Sequence, residues 1–171
     1  MVDLETLSTR CNAAILSIGA VRFDLEGNLG QLFYRIVDLD SNTSFQRHID
    51  SKTMLWWMKQ GKEAQDAVFQ APGTVSLDAG LKDFSSWLAG FEYGRIWCRG
   101  AAFDIPILES AYLAVGSSAP WPYYSVRCAR TLEDTAPEVF KPPRRGVRHN
   151  ALDDAVYQAE CVIKQMKAAG R

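Results

Sequence analysis

Apolar residues gather in short β-rich runs over the first third of the chain and recur at helical spacing afterwards. "AILSIGAVRF" (14–23) and "QLFYRIV" (31–37) read as strands, and the turn-like "DLEGNLG" between them makes the pair a hairpin. "MVDLET" reads as a short strand ahead of it. "SKTMLWWMKQG" predicts a short helix with Thr53 as N-cap and Gly61 just past its end. Leu77, Leu81, Phe84 and Leu88 recur at helical spacing, which predicts an amphipathic helix over 76–90. "RIWCRG" is expected as a fourth strand, and "FDIPILESAYLAVG" as a helix with Pro106 in its first turn. "YYSVRC" is expected as a fifth strand, followed by a helix near 129–136. "KPPRRGVR" is an irregular basic loop, and 150–169 is the last helix. Strands come first and helices alternate later, which predicts an α/β domain with a mixed sheet.

Composition narrows the class. The chain has 171 residues, 47% hydrophobic and 23% charged, enough apolar content for one domain spanning 1–171 with a real core. A formal net charge of −1 supplies no global positive field, so a polyanion must be held by local basic patches or metal ions. The four cysteines (Cys11, Cys98, Cys128, Cys161) are scattered without a C-x-x-C pair, which points to a reduced, cytoplasmic chain and away from zinc. No signal peptide or long apolar run is seen, so no membrane is expected.

The acids carry the candidate chemistry. Asp3 and Glu5 are two apart on the expected first strand and point to one face while Leu4 points to the other. Two carboxylates side by side repel unless a cation or proton sits between them; a solvent-facing strand edge is the bland explanation. Asp104 opens a helix in "AFDIPIL", where N-capping would also account for it. In "HNALDDA" (149–155), one aspartate can share a site with His149. On a helical wheel Leu152, Ala155, Val156, Ala159, Ile163 and Met166 form the buried stripe. Asp153 falls with Asn150, Tyr157, Glu160 and Lys164 on a mostly charged face that looks solvated. Asp154 falls with Ala151, Gln158, Cys161 and Gln165 on an uncharged column that can form a cleft wall. Counting one turn from His149 favours Asp153 instead, if the helix already includes the histidine. His48 lies outside every motif and is given no role.

Taken together these segments resemble the DEDDh group of 3′–5′ exonucleases, through D-x-E (Asp3, Glu5), the "FD" aspartate (Asp104) and H-x-x-x-x-D (His149, Asp154). The last spacing selects Asp154. A closer similarity is to the phage DexA-like exonucleases and the RNase AS group, through T-x-x-W-W-x-x-Q (Thr53, Trp56, Trp57, Gln60) and "WCRGAAFDIPIL" (97–108). The resemblance covers the whole chain in the family's order and implies an RNase H-like fold, a central mixed β-sheet flanked by helices. Such proteins usually have several strand residues before the first acid. Either the first strand is short or Met1 is not the natural start, and the strand is expected to fray at its beginning.

The resemblance further implies two divalent ions, Mg²⁺ or Mn²⁺, held by Asp3, Glu5, Asp104 and Asp154 roughly 3.5–4 Å apart. One would activate water for in-line attack on the terminal phosphodiester, the other stabilise the leaving 3′ oxygen, and His149 would take the water's proton. The expected function is a metal-dependent 3′–5′ exonuclease releasing nucleoside 5′-monophosphates. A non-catalytic nucleic-acid-binding or interaction module with a degenerate site is the alternative. Expected partners are single-stranded DNA or RNA 3′ ends, with homodimerisation left open. Substrate contacts are sought at Leu4, Thr6, Phe103 and at one of Trp56 and Trp57, on whose ring a base can stack. Arg144, Arg145 and Arg148, with Lys141, crowd the loop before His149 and are candidates for backbone phosphates. Arg99 and Arg127 stand where the subgroup often has basic residues.

Overall fold

The hairpin residues pair as their pattern requires. β1 (Val2–Thr6), β2 (Ile15–Phe23) and β3 (Leu29–Ile36) form an antiparallel sheet in the order β1-β2-β3. β4 (Ile96–Cys98) and β5 (Val126–Cys128) form a parallel ladder. In this computed structural model, which describes residues 1–90, 94–135, 138–139 and 141–170, β1 lies beside β4. The strands are therefore mixed in sense, as expected, but among the described residues they hydrogen-bond as two ladders. The helices are α1 (Leu39–Ser44), α2 (Ser51–Trp57), α3 (Lys62–Phe69), α4 (Leu77–Leu88), α5 (Asp104–Ala114), α6 (Ala129–Thr135) and α7 (Ala151–Ala168). Position 136, the expected end of the sixth helix, lies outside the described residues.

Register sorts the side chains onto two faces. Directly opposed residues of an antiparallel pair share a face. Val2 and Leu4 oppose Ala20 and Ile18, and these pack with Leu77, Leu81 and Phe84 of α4 and Ile105, Leu108 and Tyr112 of α5. The other face takes α7, whose Ala155, Ala159 and Val162 pack with Val21. The acids Asp3 and Glu5 oppose Gly19 and Ser17 on that second face. A β-bulge between Glu5 and Thr6 then ends the regular pairing next to them.

Several expectations are corrected. The first strand does not fray: the Met1 ammonium donates to Val21 O (2.8 Å) and Val21 N donates back to Met1 O (2.9 Å). Burial pushes that ammonium down to about 5. Asp50, not Thr53, caps α2, its side chain accepting from Lys52 N (3.0 Å). Gly61 follows α2 and at the same time stands at the N-cap of α3, a helix the pattern does not reveal because only Ala64 and Val68 are buried. The six-residue α1 has no apolar stripe; the buried Asn42 holds it by bonding both Ile15 N and Ile15 O (2.9 Å each). Residues 123–125 form a 3₁₀ turn, so the fifth strand is only Val126–Cys128. In α7, Leu152, Val156 and Met166 are half-buried, whereas the Ala151–Asp154–Gln158–Cys161–Gln165 column is buried throughout. No helix among the described residues is long and apolar enough to cross a membrane.

Candidate active site

The alternation of β1 aims Asp3 and Glu5 toward α7, and α5 brings a third acid to the same place. Asp104 is 3% exposed, and its Oδ1 accepts from Leu4 N (3.2 Å), the amide between the two strand acids. Phe103 occupies the N-cap position of α5, so the Asp104 side chain is turned to the strand and not used as a cap. Burial and the neighbouring carboxylates of Asp104 and Glu5 push Asp3 well above the ordinary aspartate range. Burial, then Asp104, lifts Glu5 to about 8. Burial lifts Asp104 to about 7 against the pull of the Leu4 amide. Acids held this way resist ionising together unless a cation joins them.

α7 supplies the rest. Asn150 is its N-cap, accepting from Leu152 N (3.0 Å) and Asp153 N (3.2 Å), so His149 stands outside the helix. With φ 64°, His149 adopts the left-handed conformation that costs a non-glycine residue of order 1 kcal/mol or more. That turn lets the His149 amide donate to Asp154 Oδ2 (3.1 Å). One ligand atom each from Glu5, His149 and Asp154 lie within 4.8 Å of one another. A one-turn count from the histidine therefore starts in the wrong place. Asp153 points away, its Oδ2 accepting from Val147 N (2.7 Å) over Gly146. It is half-buried and braces the loop before His149, where a solvated carboxylate was expected.

The donor set fits divalent ions bound through oxygen. Three mutually repelling acids, Glu5 and Asp104 buried and Asp3 half-buried, with Asp154 and His149 alongside, are a poor arrangement for a chain that holds no cation and a good one for Mg²⁺ or Mn²⁺. In this structure the positive charge comes from Arg144, whose guanidinium pairs with Asp154 and lies 4.8 Å from the centre of the Tyr157 ring. Burial, then the charges of Arg148 and Arg144, lowers the His149 imidazole below its usual value.

The tryptophans divide their work. Trp57 is 2% exposed and donates to Thr6 O (2.9 Å). Trp56 is 41% exposed, with its ring 4.9 Å from that of His149 in an edge-on arrangement. Leu4 is buried in the core, and Thr6 is buried with its hydroxyl donating to Ser8 O (2.8 Å), so neither side chain is open to a ligand. Phe103 is partly buried against the core. Arg99 is turned to Glu133, which it grips with two bonds (2.9 and 3.0 Å), and Lys141 joins the same carboxylate at 3.3 Å. Arg127 donates to Tyr124 O and Val126 O and lines a cavity of about 760 Å³ that none of the candidate acids borders. Arg145 and Arg148 are exposed on the loop. His48 is half-buried with Nδ1 2.8 Å from Ser8 Oγ, a structural position.

Two contributors escape the motif reading. Gln158, 7% exposed, donates from Nε2 to Asp3 Oδ1 (2.7 Å). Gly19 faces the backbone of Ala151 and Leu152 so closely that a Cβ there would overlap it. A glycine inside a strand is the signal that would have found the second, because it often marks a close approach of another backbone.

The chain is similar to known nucleases. A curated relative, an exodeoxyribonuclease of Enterobacteria phage T4, is 25% identical over 119 residues, 63% of this chain and 52% of that protein. The chain thus spans about half the length of that relative. Among solved structures, cell-death related nuclease 4 (CRN-4) shares the fold with a TM-score of 0.53 at 13% identity, over 99% of this chain and 63% of that one. It has the RNase H-like exonuclease fold that the family resemblance implies. The model of the Rv2179c-like 3′–5′ exoribonuclease domain matches residues 1–166, nearly the whole length, and the chain accordingly belongs to that nuclease family.

Proposed function

We propose that this chain is a DEDDh-type 3′–5′ exonuclease that removes nucleotides one at a time from single-stranded RNA, releasing nucleoside 5′-monophosphates. The observation that carries the reading is the acid cluster closed by a histidine, with ligand atoms of Glu5, His149 and Asp154 within 4.8 Å and Asp104 tied to the strand between Asp3 and Glu5. Two divalent ions, Mg²⁺ or Mn²⁺, held by Asp3, Glu5, Asp104 and Asp154 would supply an activated water and charge stabilisation at the leaving 3′ oxygen. The exposed face of Trp56 offers a stacking platform beside His149. Arg144, Arg145 and Arg148 bring positive charge to the same edge for backbone phosphates. RNA is favoured because the family description that spans the chain is of an exoribonuclease, whereas the DNA-cutting relative is matched over half its length. A pure binding module is disfavoured: clustered buried acids repel phosphate.

Matched 5′-labelled RNA and DNA oligomers, incubated with Mg²⁺, Mn²⁺ or EDTA, test this directly. The expected result is a ladder shortening from the 3′ end of RNA, mononucleotide products, and no cleavage in EDTA. Equal cleavage in EDTA, or internal cuts in a circular substrate, would sink the reading; faster loss of the DNA oligomer would reassign the substrate.

His149 is the proposed general base, since a neutral imidazole can take the proton of the attacking water. The base must be unprotonated, so the rate should rise with pH as the imidazole loses its proton and then level. Because burial and the two arginines lower this imidazole, the rise should lie below the ordinary value of about 6.5. His149→Ala should lose roughly 10²–10⁴-fold in rate and lose that limb of the profile. A variant that keeps both rate and pH limb would leave His149 with a structural role only.

A further inference from the structure

We infer that Gln158 is a positioning residue that orients the Asp3 carboxylate for a divalent ion. The residue lies four positions after Asp154 on the buried column of α7, so the two side chains project from the same wall. Its Nε2 is 2.7 Å from Asp3 Oδ1, and the side chain is almost fully buried. Against an ionised Asp3, the form that binds a cation, the amide has one sensible orientation, because a flipped group would set an oxygen acceptor against a carboxylate. Its own Oε1 is buried with no hydrogen-bond partner among the described residues. An apolar side chain of similar volume would fill the place without leaving that acceptor unsatisfied, so packing alone does not explain a glutamine.

The arrangement of the other acids shows what the contact does. Asp104 has Oδ1 pinned by the Leu4 amide, and Asp154 has Oδ2 pinned by the His149 amide. Asp3 has Oδ1 pinned as well, but by a side chain from α7. In each case one oxygen is tied to the protein, which fixes the plane of the carboxylate; the other oxygen of Asp154 pairs with Arg144, which a bound ion would have to displace. Hydrogen bonds to metal-ligating groups commonly tune affinity in this way. Gln158 also links β1 to α7 across the site, in addition to the packing of the helix on the sheet.

This inference rests on the metal-dependent reading above, and calorimetric titration of the full chain with Mn²⁺ separates the two. Gln158→Met keeps the volume and removes the donor; Gln158→Ala guards against a poorly folding methionine variant. Both should bind Mn²⁺ roughly 10–100-fold more weakly than the parent. The melting temperature of Gln158→Met in EDTA should stay at or above the parent's, because the unsatisfied acceptor is gone, whereas Gln158→Ala leaves a cavity and should melt lower. The Mn²⁺ concentration for half-maximal cleavage should rise by a similar factor, with kcat at saturating Mn²⁺ within a few-fold. Parental Mn²⁺ affinity in both variants, or a lowered melting temperature in EDTA with affinity unchanged, overturns the positioning role and leaves the metal reading intact. A parent chain that binds no Mn²⁺ overturns both.

Discussion

Asp154→Asn is expected to lose nearly all exonuclease activity, to below about one per cent of the parent, while Asp153→Asn stays within a few-fold of it. Mutating groups that merely support a metal ligand costs 10–100-fold, so neutralising a proposed ligand should cost more. The loss at Asp154 should not come from unfolding. The side chain pairs with Arg144 and accepts the His149 amide through Oδ2, which an asparagine oxygen can also accept. Removing its charge also relieves the crowded acids, so the melting temperature in EDTA should change little. Asp153 differs in kind: its carboxylate accepts the Val147 amide at 2.7 Å and sits in the first turn of α7. Asparagine keeps an acceptor but weakens a charge-assisted bond and a favourable helix-terminus charge, together about 1–2 kcal/mol. Steady-state rates and melts of both variants decide it. An inactive Asp153→Asn beside an active Asp154→Asn would place the working carboxylate one residue earlier than this structure does.

The choice between those two aspartates was legible in the sequence, though for an incomplete reason. The wheel assigns Asp154 to an uncharged column, and that column, Ala151 to Gln165, is the one the helix buries. It misjudges Asp153 because nothing in the pattern announces that "PRRGVR" folds back over the first turn of α7. Gly146, at φ 76°, makes that return, and Asp153 fills the space a side chain there would need. The D-x-E pair is read correctly from strand alternation alone, since alternation fixes which side chains share a face. Arg99 and Arg127 show the limit of position-by-position likeness. Each lies where a basic residue is expected, but one is committed to Glu133 and the other to carbonyls of its own strand and the turn before it. α1 goes unread because it rests on its Asp38 cap and the buried Asn42, and α3 because only Ala64 and Val68 of its eight residues are buried.

The residue that shapes the site without touching a substrate is Gly19, and Gly19→Ala is expected to remove about 3 kcal/mol or more of stability together with the activity. In the β1–β2 register Gly19 stands opposite Asp3, on the face that receives α7. A Cβ there would overlap the carbonyl carbon and oxygen of Ala151 and the amide of Leu152. These are backbone atoms at the start of the helix, so no rotamer change and no trimming of a neighbouring side chain relieves the overlap. Either β2 bends away or the end of α7 carrying Asn150 and Asp154 lifts off the sheet. The second outcome separates Asp154 and Gln158 from Asp3 and Glu5, so the protein that still folds should bind Mn²⁺ poorly and cut slowly. For a chain of this length a loss of that size lowers the melting temperature by roughly 6–12 °C. Ser17, opposite Glu5 on the same face, is the comparison: Ser17→Ala adds no atoms there and should cost far less. Thermal melts with and without Mn²⁺, beside oligomer cleavage, distinguish the cases. A Gly19→Ala protein that melts and cuts like the parent would mean that α7 does not seat on β2 at this residue, and that the acids are brought together by some other contact.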